Sequence, residues 1–179
     1  MASRDDAQKL RPGVGPVVSS AHLAASGLPE LSEMEFALTM ANHAFQRWIT
    51  RCMAAAGAPG MSALEVLILH LVNHRDRAKT LSDIGLVLNV EDTHLISYAV
   101  KKLSAQGLVV TGRAGKEKTV TIAPEGAELC RRYGEVREAL LVRSIEALGL
   151  EREEISRLAT LLRTLSGSYD QAARAAAAL

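Results

Sequence analysis

Aromatic side chains are scarce in this chain, making up 3% of 179 residues, with Trp48 the sole tryptophan. That argues against a protein that grips single strands by stacking bases on aromatic platforms. Cysteine is limited to Cys52 and Cys130, with no paired spacing, which excludes a disulfide framework or a zinc cluster of cysteines. Two unpaired thiols fit a reducing compartment. No stretch approaches the ~18 uninterrupted apolar residues of a membrane span. The opening residues carry Asp5 and Asp6 and lead into no apolar run, so no secretory signal is read there. The expected location is the cytoplasm. Neither a glycine-rich phosphate loop nor a Gly-x-Ser-x-Gly elbow occurs, and the reading is non-enzymatic, with no cofactor. Excess charge is also missing. The formal net charge of +1 gives no whole-chain argument for a nucleic-acid partner, so any such argument must come from where the charges sit.

What is present is apolar material in helical order. Hydrophobic residues are 48% of the chain, enough for a buried core. Residues 1–30 hold Pro12, Gly13, Gly15, Pro16, Gly27 and Pro29 and are expected to form a flexible arm. From Leu31, the residues Met34, Leu38, Ala41, Phe45, Trp48 and Cys52 recur every three or four positions, the mark of one helix face. Gly57-Ala58-Pro59-Gly60 ends that helix. Ser62 with Glu65 three residues on, and Thr80 with Asp83, each predict a capped helix start. The first of these helices is apolar nearly all round; the second has an inner stripe of Leu81, Ile84 and Leu88. A further helix is predicted from about Glu91 to Ala105, ended by Gly107. The period then drops to two: strands over 108–111 and 119–122 flank a turn at 114–117. Pro124 opens a long helix to about Leu148, Gly149 breaks it, and a last helix carries Ile155, Leu158, Leu161, Leu162, Leu165 and Tyr169 at helical spacing. Three short helices followed by a hairpin is the plan of a winged helix. The fold class is therefore mainly α with a small β-hairpin, a winged helix-turn-helix with long N- and C-terminal helices.

The helix over 91–105 is the informative one. At about 100° per residue, Leu95, Ile96, Ala99, Val100 and Leu103 share one arc and are expected to pack. His94, Ser97, Tyr98 and Lys101 fall on the opposite arc. That outward face offers short polar groups for base edges and a cation for phosphate, which a helix in the major groove requires. Charge placement agrees. Of the lysines, Lys79, Lys101, Lys102, Lys116 and Lys118 all lie between positions 79 and 118, leaving Lys9 alone outside. With Arg113, the segment 79–122 has a net charge of +2, whereas 123–179 carries −1. Cations thus gather on the helix end and the turn of the hairpin, where phosphate backbones would pass.

At these residues the chain resembles the MarR family of bacterial transcription regulators. The likeness is carried by Leu81-Ser82-Asp83-Ile84-Gly85, by the run Val100-Lys101-Lys102-Leu103-Ser104-Ala105-Gln106-Gly107-Leu108-Val109, and by Thr121-Ile122-Ala123-Pro124-Glu125-Gly126. With the flanking helices it spans about Leu31 to Tyr169. The resemblance implies a domain over 31–174, with a reading head over 61–123 and dimerisation helices over 31–57 and 124–174. It further implies a homodimer on a pseudo-palindromic duplex, acting as a repressor, with a small-molecule effector. The DNA-contacting residues would be His94, Ser97, Tyr98, Lys101 and Lys102 on the helix and Arg113, Lys116 and Lys118 on the wing. Two departures keep a second reading open, a winged-helix module that binds a protein or effector with weak or no DNA affinity. The wing lacks the family's Asp-x-Arg near its tip, reading Gly115-Lys116-Glu117-Lys118, and Thr111 stands where a basic residue usual for the family would be. The reading helix also opens on acidic Glu91-Asp92.

Three smaller features carry alternatives. His70 and His74 are one helical turn apart and either share a metal ion or simply pack at a helix end. Cys52 and Cys130, each beside arginine, are either oxidant sensors or plain buried thiols. His43, Phe45 and Trp48 either line an effector pocket or belong to the core.

Overall fold

The computed structural model describes residues 21–24, 27–75 and 77–179. Most of the expected N-terminal arm lies outside the described residues. Its described end differs from expectation: Ala21–Ala24 forms a short helix, α1, and helix α2 already begins at Pro29 and runs to Ala55. Pro29 is not loop punctuation. It occupies the first turn of α2, where its missing N–H costs no hydrogen bond and its fixed φ suits the helix.

Helix α3 (Ala63–Asn73) starts as predicted, with Glu65 N–H donating to Ser62 Oγ at 3.3 Å and Ser62 N–H to the Glu65 carboxylate at 3.2 Å. Helix α4 (Leu81–Leu88) has the same reciprocal cap between Thr80 and Asp83, at 3.0 and 2.9 Å. Hydrogen bonding from Thr80 holds the Asp83 carboxyl below its ordinary pKa. Asn89 ends α4 in the left-handed conformation, at φ 54°. Helix α5 spans Thr93–Ala105 rather than starting at Glu91, because the Asp92 side chain caps it by accepting from His94 N–H at 2.8 Å. Gly107, at φ 71°, closes its far end, and Leu108 N–H returns to Leu103 O at 3.0 Å.

The hairpin pairs β2 (Val109–Ala114) with β3 (Glu117–Ile122), in register from Val109↔Ile122 to Ala114↔Glu117. Its two-residue turn is Gly115-Lys116, with Gly115 at φ 62°, the conformation that glycine adopts without penalty in tight hairpins. A third strand, β1 (Lys79–Thr80), pairs with the other edge of β3. It is absent from the sequence reading, since two residues cannot show alternation.

One hydrophobic core joins these elements. Val66, Ile68 and Leu69 of α3, Ile84 of α4, Ile96, Val100 and Leu103 of α5 and Val120 of β3 are wholly buried. Met53 at the end of α2 joins the same cluster, as does Leu129 of α6 (Pro124–Arg137). Gly126 brings α6 against the start of the hairpin so closely that a Cβ there would lie 2.1 Å from Leu108 O. Lys79 is buried, its ammonium donating to the carbonyls of Val72 (3.1 Å), His74 (2.6 Å) and Arg77 (3.1 Å). It therefore ties the C-terminal end of α3, where helix carbonyls lack partners, to the first strand.

The long helix predicted to Leu148 is interrupted. After α6 comes one π-helical turn, Glu138–Val142, then α7 (Arg143–Glu146), and Gly149 at φ 71° ends the rod. The last helix, α8 (Arg152–Ala176), has no buried residue. It meets the rest of the chain through polar links: Tyr169 Oη donates to Glu35 of α2 at 3.1 Å, and Asn89 Nδ2 donates to Asp170 at 3.2 Å. Among the described residues, no helix is long and apolar enough to cross a membrane.

Candidate nucleic-acid interface

Helix α5 is oriented by its buried face. Ile96, Ala99, Val100 and Leu103 point into the core, so the opposite arc must face outward. Tyr98 is 65% exposed, His94 and Lys101 are exposed, and Ser97 is half-buried at the edge of the arc. Leu95 corrects the sequence reading: the expectation that it packs fails, and it is 53% exposed. The reason is angular. The buried residues centre near Ile96 and Leu103, and a residue one step before Ile96 is rotated by about 100° out of that arc.

Lys102 behaves differently from Lys101. Its ammonium lies 2.7 Å from the carboxylate of Glu65, whose side chain is almost fully buried at the start of α3. The hydrogen bond to Glu65 raises the Lys102 pKa and holds its charge for the pair. Lys102 thus joins α5 to α3, with its side chain still 37% exposed. Glu65, besides capping its own helix, is the acid that this cation balances.

On the wing, Arg113 and Lys118 are register partners across the hairpin, and Lys116 sits in the turn between the strands. All three are exposed, and with Thr111 and Gly112 they line a shallow concavity. Among the described residues no ion pair engages them or Lys101. Two further cations escape the sequence reading. Arg75 and Arg77 are exposed in the loop ahead of β1, beside the start of α4. They flank Asp76, so no run of like charge announces them.

The smaller features separate. His70 is half-buried with its ring edge-on to Tyr133, centroids 4.4 Å apart, whereas His74 is exposed at the end of α3. Burial lowers the His70 pKa, and its Nε2 has no hydrogen-bond partner among the described residues. Both thiols are buried. Burial pushes Cys130 up to about 11 and also raises Cys52, whose Sγ lies 3.7 Å from Tyr133 O. These environments disfavour the thiolate that oxidant chemistry needs. Trp48 packs against the core, while His43 and Phe45 are exposed on α2.

Residues 61–126, from α3 to the first turn of α6, match the winged helix DNA-binding domain family. None of the curated protein sequences matches the chain. Among solved structures, a MarR-family transcriptional regulator from Rhodococcus sp. RHA1 superposes with a TM-score of 0.62 at 16% identity, covering 74% of this chain and 91% of that one.

The chain has the MarR-type winged-helix fold.

Two other solved structures extend the likeness. A cysteine-to-serine variant of MarR from E. coli, complexed with operator DNA, gives a TM-score of 0.62 at 17% identity and covers 79% of this chain and 99% of its own. CouR from Rhodococcus jostii RHA1, bound to p-coumaroyl-CoA, gives 0.63 at 17%, covering 74% and 90%.

Proposed function

We propose that the protein is a homodimeric transcription regulator that reads double-stranded DNA with α5 and steadies itself on phosphate with the wing. The observation that carries the reading is the outward arc of α5, where His94, Tyr98 and Lys101 stand exposed because the other arc is locked in the core. The family match over 61–126 supports it by covering that helix and the wing together. Of the two acids at the start of α5, Asp92 is occupied as the helix cap, while Glu91 stands exposed. The test is titration of the purified protein against selected and random duplexes at several salt concentrations.

Two results are expected. Alanine at Tyr98 or Ser97 should weaken the best duplex by roughly 1–3 kcal/mol and leave random duplex nearly unchanged, as removal of a base-reading group does. Equal binding of wild type and Tyr98→Ala to the best duplex would rule out base reading by this face. Alanine at Lys116 or Lys118 should weaken all duplexes alike. Each should also lower the slope of log affinity against log salt by about one for every phosphate left without its cation. An unchanged slope in both variants would remove the wing from the interface.

Dimerisation is supported by the apolar surface of α8, where Ile155, Leu158, Leu161 and Leu162 are 42, 56, 53 and 41% exposed. A monomer leaves that stripe in water; a two-fold partner would cover it. An effector would fit the cleft of ≈ 380 Å³ between α2 and α8, lined by Leu38, Leu162, Leu165, Tyr169, Asp170 and Asn89. Asn89 ends α4 just ahead of α5, so an occupant there would bear on the reading helix.

A further inference from the structure

We infer that Leu95 is a specificity determinant, a reader of the 5-methyl group of thymine in the major groove. The inference rests on the proposed docking of α5 and adds the base chemistry that the helix selects. Three observations converge on it. Leu95 is 53% exposed and Tyr98 is 65% exposed, and at a spacing of three residues they are surface neighbours on α5. No packing role accounts for Leu95, since the core contributed by α5 is complete with Ile96, Ala99, Val100 and Leu103. Lys101 follows Tyr98 by three residues on the same helix, exposed Arg113, Lys116 and Lys118 stand on the wing, and of the acids just ahead of Leu95, Asp92 is taken up as the helix cap. Cations on the same reading head, without ion-pair partners among the described residues, carry such a patch toward phosphate, and so toward a duplex.

The chemistry follows from the groove edges. Leucine has no donor or acceptor, so it cannot read amide, amino or ring-nitrogen groups. The apolar feature on the major-groove edge is the thymine methyl. A branched side chain beside a phenol ring makes a shallow apolar seat for one methyl. A cytosine or guanine there would set a polar group against Leu95 with no partner, which supplies discrimination against those bases.

The test uses the folded, full chain and synthetic duplex. The tightest duplex is selected from a random pool, and each thymine is then replaced singly by deoxyuracil, which deletes the methyl and keeps the pairing. For wild type, one thymine per half-site should be sensitive, with affinity falling roughly fourfold, the worth of one buried carbon. Leu95→Ala should fold normally, since the side chain is half in solvent, and should bind the thymine and uracil duplexes equally. Two outcomes overturn the inference while leaving the regulator reading intact: no thymine is sensitive, or Leu95→Ala keeps the sensitivity of wild type. Failure to select any duplex would overturn both readings.

Discussion

Gly126→Ala is expected to cost about 3 kcal/mol or more of stability, more than the 1–3 kcal/mol of ordinary core overpacking. The added Cβ would lie 2.1 Å from Leu108 O, 2.8 Å from Ile122 Cδ1 and 3.0 Å from the Leu108 carbonyl carbon. Two of these are backbone atoms and cannot swing aside as the end of a long side chain would. Leu108 O is also held in place, because it accepts from Ala123 N–H at 3.1 Å. Relief would have to lift α6 off the hairpin, parting Leu129 from the core. Gly134→Ala is the matched control. It lies in the same helix with nothing within 4 Å of an added Cβ, so alanine should stabilise there by roughly 0.5–1 kcal/mol. Urea unfolding of both variants decides the matter; similar midpoints for Gly126→Ala and wild type would refute the steric argument.

Leu158→Glu should convert dimer to monomer. In the single chain Leu158 is 56% exposed, so the carboxylate costs the monomer's fold little. Across a two-fold interface the same carboxylate would be buried without a partner, a change that costs about 3–5 kcal/mol in comparable pairs. Sedimentation at micromolar concentration should show a wild-type dimer and a folded monomeric variant. The variant should also bind a two-half-site duplex far more weakly, because a single reading head engages only one half-site. Wild type that sediments as a monomer would refute the proposed assembly. A variant that remains dimeric would place the interface away from Leu158.

The sequence reveals what is written locally. Both Ser/Thr–acid caps, the glycine end of α5 and the period-two hairpin depend on residues within a few positions of one another, and each is found in place. What escapes depends on distant partners. Lys79 and Lys102 look like surface cations in the sequence because their partners are a set of backbone carbonyls and an acid on another helix, Glu65. Strand β1 exists only through pairing with β3. Asp92 looks like an obstacle to phosphate until its hydrogen bond from His94 N–H shows that it starts the helix. Leu95 is misjudged because a single apolar type on the border of a helical arc carries no sign of which side it takes. For the site as a whole, residue types and arc are legible, and the division of lysines between structure and surface is not.

The π-helical turn at Glu138–Val142 holds a residue to spare. Pairing residue i with i+5 takes up one residue more than the i+4 pairing on either side. Deleting one residue from this turn would therefore let α6 run into α7 as an unbroken α-helix. Because the wider turn absorbs that residue, everything beyond the deletion would keep nearly its present phase about the rod, whereas losing a residue from α6 or α7 would turn Gly149 and α8 by about 100°. The residue gained in this stretch is thus slack that the rod can lose while the leucine-rich surface of α8 keeps its direction, a tolerance that the regular helices on either side lack.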